Sequence, residues 1–156
     1  MKKRLNILII VISLLFSGAY ATQGFGGYVG LGYDGIVGGQ VYFDNLRFSI
    51  GVDLYAGAEI IGSIDYLSYL YLSKQNVNPY YGIGVGASYI FPRYKPGKPA
   101  YILRTQGIGG IVFDVSSRSK IVLFLEAGIS PEIFMMSGYS PVYTFAFNVK
   151  LGMKFN

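Results

Sequence analysis

Across residues 24–155, large apolar side chains recur at every second position, run after run, and this two-residue period is the repeat of a β-strand. The last run shows it most fully. Tyr143, Phe145, Phe147, Val149, Leu151, Met153 and Phe155 share one face, while Thr144, Ala146, Asn148, Lys150, Gly152 and Lys154 share the other. No stretch of this range sustains helical periodicity, so the chain is confined to an all-β architecture. The pattern divides it into candidate strands at 24–33, 36–43, 46–56, 58–72, 79–91, 101–114, 120–131 and 141–155. Turn chemistry separates several of them, at Asp34-Gly35, Asp44-Asn45, 73–78 and 116–120. The stretch 46–72 holds two strands, with the reversal expected near Ala56-Gly57.

Several of these strands exceed the five or six residues usual in globular sheets. They suit the roughly 9–11 residues that a tilted strand needs to cross a bilayer. About eight such strands in up-and-down order close a small antiparallel transmembrane β-barrel with both termini on one side. Outer loops of such barrels are longer than the turns at the other end. The two longest connections expected here are 92–100 and 131–140, which places them outside, although the first and third outer connections are short.

Alternation alone does not separate a membrane barrel from a soluble one; the chemistry of the second face does. In the run 79–91, Tyr80, Gly82, Gly84, Gly86 and Ser88 oppose Tyr81, Ile83, Val85, Ala87 and Tyr89. A face this rich in glycine cannot solvate a soluble barrel, and glycines exposed to water weaken a strand with no packing gain. Turned toward a narrow axis, they make room for large side chains arriving from across the barrel. The apolar face is therefore expected outside, against lipid. Parity then turns a set of charges inward: Arg47, Asp53, Glu59, Asp65, Arg104, Asp114, Glu126, Lys150 and Lys154. Four positive and five negative groups in one lumen can pair with one another, as buried charges must. The set reads as an interior network that pins the barrel, with an ion path or proton relay as the alternative.

The N-terminus adds a second constraint. Lys2, Lys3 and Arg4 precede a short apolar stretch, 6–16, and Ala19-Tyr20-Ala21 supplies a small-residue cleavage pattern, the three-part order of a secretory signal peptide. The apolar run is shorter than the roughly 20 residues of a spanning helix. Residues 1–21 are thus expected to be a cleaved signal and 22–156 the barrel domain. Removing three of the 13 basic residues and none of the 8 acidic ones leaves 10 against 8, a net charge of +2 in place of +5. The basic character belongs mainly to the signal, and a nucleic-acid partner loses its support.

Composition removes further classes. The chain has no Cys, so no disulfide framework, and no His, the commonest general base and metal ligand. A Ser-His-Asp hydrolase is excluded in its usual form. Gly30-x-Gly32-x-x-Gly35 matches a dinucleotide fingerprint, but a strand-like run follows it where the motif needs a helix. No catalytic, cofactor or metal residue is expected. Tyrosines such as Tyr33, Tyr42, Tyr66, Tyr69, Tyr71, Tyr89, Tyr101 and Tyr143 crowd toward strand ends, as interfacial girdles do, with a carbohydrate-stacking surface as the alternative.

The run Asn78-Pro79-Tyr80-Tyr81-Gly82-Ile83-Gly84-Val85-Gly86-Ala87 resembles a strand common among small bacterial outer-membrane β-barrel proteins of the OmpA/OmpX-like kind, and the resemblance extends over nearly all of 24–155. The final run, Lys150-Leu151-Gly152-Met153-Lys154-Phe155, is similar to the C-terminal signal read by the barrel-insertion machinery, with Gly152 and Phe155 as its marked positions; here Asn156 follows the aromatic. The resemblance implies an integral protein of the bacterial outer membrane; outer-membrane lipid and the insertion machinery are its expected partners, and the chain is expected to be monomeric and without a cofactor. Three functions stay open: a structural or surface-interaction role in the cell envelope, a narrow pore for small solutes or ions, and a lipid-modifying enzyme. Relatives with that last activity rely on a catalytic His, which is absent here.

Overall fold

A computed structural model describes residues 24–31, 35–53, 59–70, 76–92, 97–114 and 121–155. The expected signal segment 1–21 lies outside the described residues, as do the reversal at Ala56-Gly57 and most of the turn positions 73–78 and 116–120. Eight strands follow in order: β1 Gly24–Leu31, β2 Ile36–Phe43, β3 Leu46–Asp53, β4 Glu59–Tyr69, β5 Val77–Ile90, β6 Ala100–Asp114, β7 Ile121–Met136 and β8 Val142–Phe155. Each pairs antiparallel with the next, and β8 returns to β1 through Phe25↔Phe155 to Leu31↔Val149, so the sheet is a closed up-and-down barrel. Closure pairs β8 with β1 over 149–155, and a closed sheet is the form in which strands cross a lipid phase.

Burial alternates along the strands, and the alternation breaks down at strand ends such as 142–145, where all four residues are exposed. In β7 the alternation is nearly unbroken: Val122, Phe124, Glu126, Gly128, Ser130 and Glu132 are buried and the residues between them are exposed. The outward face is predominantly apolar, with Ile83 and Phe145 each 71% exposed and Phe147 61%. Such a continuous exposed apolar belt far exceeds the patches tolerated in water and matches the lipid-facing band of a transmembrane barrel.

The inward glycines make room in a way the sequence did not specify. Each lies opposite a bulky inward residue of the adjacent strand: Gly38 and Gly152 flank Tyr28, Gly110 faces Tyr80, and Gly82 faces Leu67. A Cβ on Gly110 would come within 2.5 Å of the Tyr80 ring, and one on Gly51 within 2.6 Å of the Tyr28 hydroxyl. The large side chains thus lean over the neighbouring strand and do not arrive from across the axis. In a tilted, strongly curved sheet, that neighbour is the nearest space available.

One expected connection needs correction. β7 continues through Pro131 to Met136, so the seventh connection is 137–141 and not 131–140. A proline read as a loop marker sits in the strand because its other edge stays fully paired with β8, Pro131↔Phe145 included. The fifth connection is 91–99, one residue earlier than the expected 92–100, with 93–96 outside the described residues; Lys98 Nζ donates to the Ser137 carbonyl at 3.1 Å, a link to the seventh. Of the tyrosines expected in an interfacial girdle, Tyr33 and Tyr71 lie outside the described residues. Tyr42 is buried on the inward face beside Gln40, and Tyr69 packs against the core, whereas Tyr66, Tyr101 and Tyr143 do face outward.

Among the described residues, left-handed backbone is confined to turns. Asp44, in the two-residue connection between β2 and β3, takes φ 51°, and Gly138 takes φ 87° between β7 and β8. Asp tolerates that region better than most residues and glycine does so freely.

Candidate functional site

The lumen is built in three layers. At the end carrying the termini, Tyr42, Leu67, Tyr80 and Ile108 form an apolar plug, with Tyr69 and Val112 packed against it. Lys154 lies over the Tyr42 ring, 4.6 Å from its centroid, and the Tyr42 hydroxyl donates to Gln40 Oε1 at 2.6 Å.

Above the plug sits a charge knot. Arg47 enters from β3, directly opposite Asp65 of β4 in the ladder, and its Nε donates to Asp65 Oδ2 at 2.9 Å. Its other two nitrogens reach across to β7, where Nη1 meets Glu126 Oε2 at 2.5 Å and Nη2 meets Oε1 at 3.1 Å. Glu126 also accepts from the Tyr80 hydroxyl at 2.8 Å and pairs with Lys150 of β8 at 3.3 Å. Asp65 accepts from Gln106 Nε2 and, at 3.5 Å, from Ser63. Arg47 and Asp65 are 0% exposed and Glu126 is 1% exposed. A bidentate guanidinium with further donors on each carboxylate is the arrangement in which buried charges can be satisfied.

Beyond the knot, toward the loops, lies a cavity of about 400 Å³. Asp53, Glu59, Arg104, Glu132 and Ser49 are part of its wall, and Lys150 reaches it from the knot. Arg104 Nη2 contacts Glu59 at 3.3 Å and donates to Ser88 Oγ at 2.5 Å, while its Nε lies 3.4 Å from Glu132. Of the nine inward charges expected from parity, the structure brings Arg47, Asp65, Glu126 and Lys150 into one cluster, and Arg104 and Glu59 into another on the wall that also carries Asp53. Lys154 stands apart over Tyr42, and Asp114 is exposed at the terminal end of β6. Glu132 joins the second cluster although sequence reasoning placed it in a loop; the uninterrupted two-residue parity past Pro131 was the signal that could have found it.

At the closing seam, Gly152 lies under the Phe124 ring. Phe155 stacks on Phe25, with centroids 5.1 Å apart and planes 19° from parallel. Among the described residues, no cluster of His, Cys, Asp or Glu is arranged to hold a metal ion.

A closed eight-stranded barrel, apolar outside and filled with paired charges inside, is the architecture of small transmembrane β-barrels. No family model and no curated protein matches the sequence. Among solved structures, the chain is similar to the N-terminal β-barrel domain of Pseudomonas aeruginosa OprF, with TM-score 0.56 and 12% identity over 85% of this chain and 96% of that one. It is similar to Neisserial surface protein A at TM-score 0.52 and 10% identity, covering 85% and 92% of the two chains. A major outer membrane protein of Thermus thermophilus gives TM-score 0.50 and 12% identity, covering 85% and 98%. The fold is that of the eight-stranded outer-membrane barrels, as the resemblance of the strand motifs implied.

Proposed function

We propose that the chain is an exported integral protein of the bacterial outer membrane, monomeric and without enzymatic activity, serving the envelope structurally or through surface contacts made at its loop end. One observation carries this reading: the lumen is crossed by a fully buried, mutually satisfied knot of Arg47, Asp65, Glu126 and Lys150 above an apolar plug. Eight strands leave an interior that side chains alone can fill. Carboxylates held this way are occupied by cations rather than poised for acid–base work. The surface offered to a partner is the fifth connection, 91–99, tied by Lys98 to the short turn 137–141, where Tyr139 is exposed.

The alternative is a narrow pore, favoured by the charged side chains Asp53, Glu59, Arg104 and Glu132 on the wall of the cavity at the loop end. Planar-bilayer recording decides between the two. The plugged barrel is expected to give no unitary steps; steps abolished by Arg104→Ala or Glu126→Ala would establish conduction and overturn the structural reading. Recovery of a monodisperse protein without detergent would overturn the membrane reading itself.

A further inference from the structure

Among the described strands, one ladder is interrupted between paired residues. On the β6–β7 ladder, Arg104↔Glu132 and Gly107↔Ile129 are paired, and the two steps between them, Thr105 opposite Pro131 and Gln106 opposite Ser130, are not. Proline has no N–H to give a ladder, and within sheets it belongs at edges or irregularities. Here it stands in a wall with a strand on each side. Beside it, the Ser130 hydroxyl is buried with no hydrogen-bond partner.

Cavities lie on both faces of this weakened wall. The luminal one is the cavity of about 400 Å³ already described. The outer one, about 470 Å³, is a groove lined on the lipid side by Leu103, Pro131, Ile133, Tyr143 and Phe145. Arg104, Glu132, Thr144 and Phe145 belong to the walls of both. Each volume falls in the range of roughly 300–1,000 Å³ typical of small-molecule sites.

We propose that the seam at Thr105–Gln106 and Ser130–Pro131 is a lateral binding site for a single-chain amphiphile with a cationic head. The alkyl chain lies in the outer groove and the head enters the luminal cavity. The proposal rests on the lipid-facing reading of the outer surface. Charge decides the sign of the head. Asp53, Glu59 and Glu132 face the cavity against Arg104, whose guanidinium is already committed to Glu59, Glu132 and Ser88. Lys150 also reaches it but is paired with Glu126. Among the described residues of the wall carboxylates outnumber cations, so an anionic head would meet more repulsion there than an ammonium head. The Ser49 hydroxyl, 8% exposed and without a hydrogen-bond partner, lines the same space.

The test is calorimetric titration of dodecyltrimethylammonium and of dodecanoate into phosphatidylcholine nanodiscs, with and without the full chain, after protease protection has verified insertion. The cation is expected to bind the loaded discs saturably at one site, at least tenfold more tightly than dodecanoate. Pro131→Val, which restores the missing N–H, is expected to weaken it at least tenfold. Glu132→Gln is expected to erode the preference for the cation while leaving the ladder as it is. Heat identical to that of empty discs, equal binding of the two probes, or unchanged binding by Pro131→Val would each overturn the site while leaving the membrane reading in place. A chain that fails to insert would overturn both.

Discussion

Arg47 is the residue on which the interior turns, because it is shared between carboxylates from two distant strands. Removing one member of a buried ion pair leaves its partner uncompensated, at a cost of about 3–5 kcal/mol. Arg47→Met is therefore expected to destabilise the barrel by about that amount in urea unfolding from lipid vesicles. Adding Asp65→Asn and Glu126→Gln should recover part of the loss; no recovery would mean that Arg47 acts through packing alone. The glycines give a second residue-scale test. Gly110→Ala would press a methyl group into the Tyr80 ring and is expected to cost about 1–3 kcal/mol, the usual penalty of overpacking. Gly109→Ala, one position away, meets nothing within 4 Å and should cost much less. Equal effects in that assay would contradict the assigned faces.

At the scale of the strand, each element has one lipid face and one luminal face, so exchanging one residue tests the assignment of both. Phe147 lies outward on β8, paired with Ile129 of β7. An arginine on the lipid face near the bilayer midplane costs about 2–4 kcal/mol, falling toward the interfaces. Phe147→Arg is expected to lower vesicle-folding stability by an amount in that range, whereas Ser137→Arg in the exposed turn should leave it nearly unchanged. A neutral Phe147→Arg would mean that this face meets water. β5 to β8 are the longest strands, and β7 also supplies the irregular step at Pro131.

For the whole molecule, the decisive event is closure of β8 on β1. Phe155 meets Phe25 of β1 in a stack and also pairs with Ile121 of β7, so it joins both neighbours of the last strand. An aromatic pair contributes about 0.5–1.5 kcal/mol beyond its buried area. Phe155→Ala is thus expected to cost only on that order in unassisted folding. If Gly152 and Phe155 also act as the insertion signal, the same substitution should reduce assembled protein in cells far more than it reduces stability in vesicles. Parallel loss in the two measurements would assign Phe155 a packing role alone.

The sequence by itself determined the strand count, the antiparallel order and the assignment of faces, because a two-residue period is a local property that needs no partner to be read. Tyr80, Gly82, Gly84, Gly86 and Ser88 point inward as their parity required, and Arg47, Asp65 and Glu126 do too. The tertiary structure decided what parity cannot express: register, and distance across the lumen. Arg47 could have met any inward carboxylate; the ladder places Asp65 opposite it, and barrel curvature brings Glu126 within reach. Register also separates Lys154 and Asp114 from the knot and recruits Glu132 to the second cluster, past a proline whose missing N–H argued locally for a loop. A strand tolerates that proline only because its other edge holds, and this is a fact about neighbours that no local pattern carries.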